Sequence, residues 1–565
     1  MGNWITSTFL RFDVFLFALK QNRYIEFNRR DHPNPPNSVR IAAERVALER
    51  MKPDDSDTDF SDDDDACPQM TQQEERRMHE QEQQIAFRGR CNIGDPESCK
   101  QLREKIKFRC GPQIPSTSAL LNREVAKIRG MPSSMETALV NQFLPNRKKR
   151  VDKVFTKSFC VQYIQNGRKI VVASQDEKIR FYQRNIKKSK HSSRYFQSSE
   201  LRVDVCSWAI LDTALNEEGN LICYTTWKDA IFLGKLDYSE NQNITWFPIE
   251  LGERQPHQTA VFCVRFAENS EQIVCGTSDY CIHVFDTEQR RRVRTIGNAH
   301  EDDVNTVCFA EQGSNLIFSG GDDGLVKVWD KRAWSDGDVD PVGVFAGHRD
   351  GITYVDSRQD ERYLLSNCKD QTVKVWDMRK FSNNVGVEAT RSCVQSQRWD
   401  YRWQPAPPGL CQAVEGDTSV MTLRGHSVLH TLVRAKFSPE RTGRRYIYTG
   451  CARGEVVVYD ILTGMVSRRL KGHVGVVREC DWHPEENEIV SSSWDGVTSV
   501  WQWDERAEKI TAPYYNAKMG DEDSCDDEYV EIKHPARRHR KCPTTSRIAE
   551  PCYDHTEPST SSAAD

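Results

Sequence analysis

The chain has 565 residues, a formal net charge of −5, 38% apolar residues and 13 Trp. That apolar content suffices for one large core, and the slight acidity gives no global pull toward nucleic acid or an anionic lipid surface. No run reaches the ~18 apolar residues of a transmembrane helix. The 19 Cys are scattered, without Cys-x-x-Cys or paired Cys/His spacing, so a reducing compartment and no zinc site are expected. Cys263, Cys275, Cys281 and Cys308 stand inside strand-like runs as small apolar residues. Cys99, Cys110 and the tail cysteines are the candidates for reactive thiols.

Residues 1–30 combine Trp4, Phe9, Phe12, Phe15 and Phe17 with Arg11, Lys20, Arg23, Arg29 and Arg30. This pattern fits an interfacial amphipathic segment or an organelle-targeting peptide, with packing on the protein itself as the alternative. Met1-Gly2-Asn3-Trp4-Ile5-Thr6 also matches the myristoylation pattern. Residues 31–116 are acidic or polar and predict a largely disordered stretch. Within it the run 54–65 places Ser56 and Ser61 before acidic residues, as candidate phosphosites of an acid-directed kinase.

A short apolar helical hairpin is predicted over 117–146. Leu121, Val125 and Ile128 share one stripe, Gly130 stands at a C-cap, and Ser133 with Glu136 forms a capping box ahead of Leu139, Val140, Phe143 and Leu144. Such a hairpin covers the following domain's own face or docks on a partner. Arg147-Lys148-Lys149-Arg150 and Arg537–Lys541 are basic runs of the nuclear-import kind. They suggest a nuclear and cytoplasmic protein, with a membrane- or mitochondrion-associated pool through residues 1–30. The 515–565 tail reads as disordered.

Between residues 151 and 505 the sequence repeats itself. Turn aspartates recur at Asp176, Asp229, Asp279, Asp323, Asp370 and Asp495, and Arg453 takes that place once. The period is that of four-strand blades, and seven units closing on themselves remove free sheet edges. The fold class is therefore all-β: a seven-bladed WD-repeat propeller, with a mostly disordered or helical N-terminal extension and a disordered C-terminal tail. Within a blade, an upstream His, a Ser on the second strand, the turn Asp and a Trp on the third strand can form one hydrogen-bonded chain. Three sets are complete: His300, Ser319, Asp323 and Trp329; His348, Ser366, Asp370 and Trp376; His473, Ser491, Asp495 and Trp501.

The other blades are degenerate. Phe285 replaces the Trp in the third, beside His257 and Asp279, and Arg453 and Tyr459 replace Asp and Trp in the sixth, beside His426 and Thr449. From about Lys380 to Gly425 an insertion, read as the link between blades five and six, carries Arg398-Trp399-Asp400-Tyr401-Arg402-Trp403. No alternating strand leads into it, so a loop on the rim is expected. Loops of this length are often functional.

Two strands end in Trp329-Asp330-Lys331-Arg332 and Trp376-Asp377-Met378-Arg379. At these residues the chain resembles the WD-repeat substrate receptors of the cullin-4 RING ubiquitin ligases. The strings His300–Asn305, Ser319–Asp323, Trp399–Trp403, Gly425-His426 with Leu429–Leu432, and Ser491–Gly496 resemble the subtype-eleven branch of that family. The resemblance covers roughly residues 140–505. It implies that Arg332 and Arg379 contact the damaged-DNA-binding adaptor, in motifs that include Trp329, Asp330, Trp376 and Asp377. Through the adaptor it implies cullin-4 and the RING subunit as partners. A stress-response basic-zipper transcription factor is the implied substrate class. No nucleophile–base pair, phosphate loop or metal set stands outside the repeat framework, so recruitment is expected, not catalysis, with no cofactor, no metal and no direct nucleic-acid contact. A WD-repeat scaffold outside any ligase is the alternative.

Overall fold

The computed structural model describes residues 92–110, 133–185, 195–236, 244–252, 259–310, 313–334, 337, 339–505 and 507. Residues 1–30, Ser56, Ser61, the helix read before Gly130, His257 and the 515–565 tail lie outside them.

Seven antiparallel sheets follow one another around a ring, five built wholly from consecutive strands. First strands such as Val304–Phe309 are buried throughout, whereas outer strands such as Arg291–Ile296 are largely open. Third strands end at the lower face of the ring, and the turn aspartates sit at the upper face.

The ring is closed by a strand that precedes the first blade. β2 (Arg147–Lys153) follows the short strand β1 (Asn92–Ile93) in the chain and forms the outer strand of blade seven, antiparallel to Val497–Gln502. The basic run read as being of the nuclear-import kind is folded as a strand, and the propeller starts at residue 147 instead of 151. Its charges are compatible with an outer position because alternate side chains reach solvent or neighbouring acceptors. Lys148 Nζ donates to the Gly472 carbonyl, and Arg147 pairs with Asp504. Val154 N–H then donates to Gly496 O at 2.9 Å. Gly496 has φ +74°, and a Cβ there would meet the Val154 carbonyl at 1.9 Å, so this closure needs glycine.

Part of the stretch expected to be disordered is folded. β1 pairs with Met421–Thr422, and helix α1 (Pro96–Cys110) follows it. Cys99, Leu102, Ile106 and Cys110 are buried along one face of α1, in a cluster with Leu365, Leu423, Phe437 and Ile447. The two cysteines are core residues whose thiol pKa values burial pushes up, which corrects their reading as reactive thiols. The stripe is visible only when Cys is counted as apolar. Helix α2 (Ser133–Val140) ends before the apolar Phe143-Leu144 pair, which continues as a turn.

Three blades hold the complete polar chain. Trp329 Nε1 donates to Ser319 Oγ at 2.8 Å, Ser319 Oγ lies 2.7 Å from His300 Nε2, and His300 Nδ1 lies 3.0 Å from the Asp323 carboxylate. The His348 and His473 sets repeat this order. Burial alone would push the Asp323 carboxyl up, but His300 holds it below the usual range. Blade six solves the same problem differently: His426 Nδ1 faces Tyr459 Oη at 2.9 Å, and Nε2 reaches Asn367 Oδ1 of blade five at 2.8 Å. Thr449 turns instead to the Arg434 carbonyl.

The axis is filled by ion pairs. Asp212 of blade two, fully buried, accepts from Arg265 of blade three and from Arg434 beside blade six, each at 2.7 Å. Arg434 and Lys436 also pair with Glu479 of blade seven at 3.1 and 3.0 Å. Burial opposes ionisation of Asp212, yet Arg265 and Arg434 hold its carboxyl far below the usual range.

Asp323→Ala strands His300 and the Leu325 amide, and buried unpaired groups cost about 1–3 kcal/mol each. The expected result is a fall in Tm of several degrees in a thermal melt, whereas an unchanged Tm would contradict this register. Asp356 supplies a pH test. Burial pushes its carboxyl up to about 6 from 3.8, although it accepts from the Phe437 amide and faces Lys436. The folded chain therefore binds this proton more tightly than the unfolded one, and the associated stability is lost as pH rises through about 6. Asp356→Asn keeps an acceptor and is expected to raise Tm above neutral pH, with the gain shrinking as the pH is lowered toward 4.

Candidate functional site at the lower rim of blades four to six

The third strands of blades four and five, Val326–Asp330 and Thr372–Asp377, turn their final Trp inward and leave the following Asp at the lower face. A 3-10 turn, Lys331–Ala333, follows the first, and Asp330 caps it by accepting from Arg332 N–H. The Arg332 side chain folds back on the same carboxylate, with Nε donating to Oδ1 at 2.9 Å and Nη2 to Oδ2 at 2.8 Å. This two-pronged clasp fixes the guanidinium plane while 66% of the side chain stays exposed. Arg332 is the leading reason that the Asp330 carboxyl sits below its usual range.

Blade five repeats the clasp with more support. Arg379 Nε and Nη2 donate to Asp377 at 3.1 and 2.9 Å, and its side chain is 54% exposed. Asp377 is fully buried and also accepts from Arg362 Nη2 at 2.9 Å. Here burial dominates and pushes the carboxyl up despite Arg362, so the same motif titrates oppositely in neighbouring blades.

Helix α1 reaches this motif. Gln101 Oε1 accepts from Arg379 Nη2 at 2.9 Å and from Arg362 Nη2 at 2.6 Å. Lys105 pairs with Asp360 at 3.0 Å, and Lys380 with Asp95. Neither Gln101 nor Arg362 was a site candidate on sequence, because the contact joins residues far apart in the chain and no local motif marks it. Helix α2 is held by Arg441, which pairs with Glu136 at 2.7 Å, and by Asn487, which donates to the Val140 carbonyl at 2.7 Å. Beside these polar ties stand exposed apolar groups: Phe108 on α1 is 87% exposed, and Phe143 meets Trp503 edge-on at 4.8 Å. Two clasped arginines and an aromatic fringe therefore lie on one side of the ring, the combination of fixed charge and apolar anchor typical of protein interfaces.

The insertion differs from its reading as a blade-to-blade link. Its last residues, Met421–Arg424, are the fourth strand of blade five, so the whole excursion lies within that blade. It contains helix α3 (Asn384–Ser396), capped by Asn383. The third Asp-x-Arg forms the same clasp, with Arg402 Nη2 donating to Asp400 at 2.7 Å, but it lies at the upper face with Arg402 only 19% exposed. Lys369 Nζ stands 4.6 Å from the Tyr401 ring there. The clasp is a local property of Asp-x-Arg, and position in a blade decides which face it serves.

The serine–histidine pairs of the blades are enclosed: Ser319 is fully buried and His300 is 2% exposed, so no substrate reaches them. They act as framework.

The geometry defines a WD-repeat β-propeller with a helix-supported lower rim. The family model "WD domain, G-beta repeat" matches residues 250–286, 290–330, 339–377 and 464–502, leaving the degenerate blades one, two and six unmatched. The chain is 70% identical to a DDB1- and CUL4-associated factor 11 homolog of Caenorhabditis elegans, over 98% of this chain and 99% of that protein. It is 67% identical to the homolog of Caenorhabditis briggsae, over 90% and 97% of the two chains. It is also 36% identical to the LEC14B protein of Lithospermum erythrorhizon, over 69% and 82%. The chain belongs to the DDB1- and CUL4-associated factor 11 family.

Proposed function

We propose that this chain is the substrate receptor of a cullin-4 RING ubiquitin ligase. In this reading Arg332 and Arg379, within their Trp329-Asp330 and Trp376-Asp377 motifs, bind the damaged-DNA-binding adaptor, and α1 forms part of the same contact. The adaptor brings cullin-4 and the RING subunit, and the receptor itself performs no chemistry. The observation that carries the reading is the pair of exposed, carboxylate-clasped arginines in neighbouring blades, one of them tied to a helix that precedes the propeller. The names of the two nematode relatives, which associate those proteins with DDB1 and CUL4, support it. The upper face, bearing the insertion and its 64% exposed Trp403, is the surface left to present substrate. Stress-response basic-zipper transcription factors are the substrate class we favour.

Charged groups buried at an interface are each worth about 2–5 kcal/mol on truncation. The double variant Arg332→Ala, Arg379→Ala is therefore expected to lose at least tenfold in adaptor recovered by pull-down while its thermal melt stays close to that of the parent. Undiminished recovery from a folded double variant would refute the assignment. Failure of the parent chain to copurify with the adaptor and cullin-4 would favour a scaffold outside the ligase. For the substrate class, quantitative proteomics after loss of the chain should show basic-zipper factors accumulating, an effect that adaptor-deficient cells share.

A further inference from the structure

Blade three has lost two members of the polar chain, with Cys275 in place of the serine and Phe285 in place of the tryptophan. Its turn and third strand read Asp279-Tyr280-Cys281-Ile282-His283, and strand alternation puts the first, third and fifth side chains on one side. The Asp carboxylate, the Cys281 thiol and a ring nitrogen of His283 all lie within 4.8 Å of one another. His283 is 3% exposed, and its Nε2 has no hydrogen-bond partner. That nitrogen faces the Asp279 carboxylate at 3.8 Å, beyond hydrogen-bond reach.

We infer that this turn binds one divalent transition-metal ion, zinc by its ligand set, through Asp279, Cys281 and His283, with a fourth position open to water. Thiolate, imidazole and carboxylate together are zinc ligands, and three protein ligands plus water is a familiar open arrangement. The supporting contacts are built. His283 Nδ1 lies 2.9 Å from Thr295 Oγ1, which orients the ring with Nε2 toward the cluster, and Thr277 Oγ1 donates to the Asp279 carboxylate.

Blade four fills the corresponding place with a side-chain cation. There, Lys327 occupies the place of His283, and its ammonium stands 3.8 Å from the turn aspartate. In blade three His283 faces the turn aspartate at the same 3.8 Å, and His257, the counterpart of His300, lies outside the described residues. Arg292 lies near the thiol, but its guanidinium donates to the Leu251 carbonyl. On binding, the Cys281 thiol gives up its weak bond to the Asp279 carbonyl at 3.2 Å and releases its proton to water. Among the described residues the other close group, His348, Cys368 and Asp370, is already committed to the framework of blade five and carries no such site.

The full-length protein, stripped with a chelator under reducing conditions, is titrated with Co2+ and read by absorption, then competed with Zn2+. One equivalent with a thiolate-to-cobalt charge-transfer band is expected, displaced by Zn2+. Cys281→Ser should remove that band. His283→Gln should weaken binding more than about tenfold, and Thr295→Val, which touches no metal, should weaken it by roughly 10-fold. Circular dichroism and adaptor pull-down report whether each variant is folded. A parent protein without a saturable band would overturn the proposal. A band that survives in folded Cys281→Ser would overturn it equally, by assigning the thiolate elsewhere.

Discussion

Closure of the ring is the constraint on which the rest depends. A linear stack of seven sheets would leave two open edges, and the seventh blade here contributes only three strands of its own. The fourth comes from Arg147–Lys153, far away in sequence, and α1 and α2 precede that strand in the chain, packed on blades five to seven. The apolar side of α1 is buried against blades five and six, and its polar side is thereby delivered to Arg379. The closing strand and the helices of the candidate adaptor surface thus both come from the chain ahead of the first blade.

The ring is held from inside by polar groups that each need a partner. Blades four, five and seven meet that need locally, with His, Ser, Asp and Trp in one chain. The degenerate blades meet it between blades. His426 spends its second nitrogen on Asn367 next door, and Arg434 bridges Asp212 and Glu479 around the axis. Breaking one partner of such a buried pair is far costlier than the net value of the pair suggests, because the other charge is left stranded. Sequence degeneracy in a blade is therefore no sign of a weak blade when its neighbours supply the missing contact.

What was legible in the sequence follows from the range of the interactions involved. The three complete blades are periodic and locally satisfied, so the turn aspartates, the Trp partners and the Asp-x-Arg motifs could be placed by spacing alone. The closing strand could not, because Arg-Lys-Lys-Arg has no strand pattern of its own and takes its conformation from Val497–Gln502. Helix α1 was hidden by a stripe in which two of four apolar positions are Cys. Gln101 and Arg362 were beyond reach for a different reason: their role exists only once a segment before the propeller and a loop of blade five have met. The fourth strand of blade five is four residues long and sits at the end of an insertion, too short to announce itself.

The insertion has a geometric consequence for function. Its helix α3 has 13 residues, so it extends about 20 Å, close to the length of a six-residue strand. It begins just after Arg379 at the lower face and ends at the upper one, where Arg391 pairs with Glu301 at 2.5 Å and Gln397 donates to the Arg349 carbonyl. From there Trp399–Trp403 lies beside the turn of blade five, with His430 N–H donating to the Tyr401 carbonyl at 2.9 Å. The return strand is then locked by Lys374, which pairs with Asp417 and donates to Thr422 at 2.8 Å. One continuous, helix-stiffened excursion of a single blade thus joins the rim that carries the clasped arginines to the face that carries Trp403. A receptor must hold its substrate in a fixed relation to the ligase, and rigid elements do this better than loops. A long insertion in a blade is usually a place of variation; here it is a short, rigid route between the two faces.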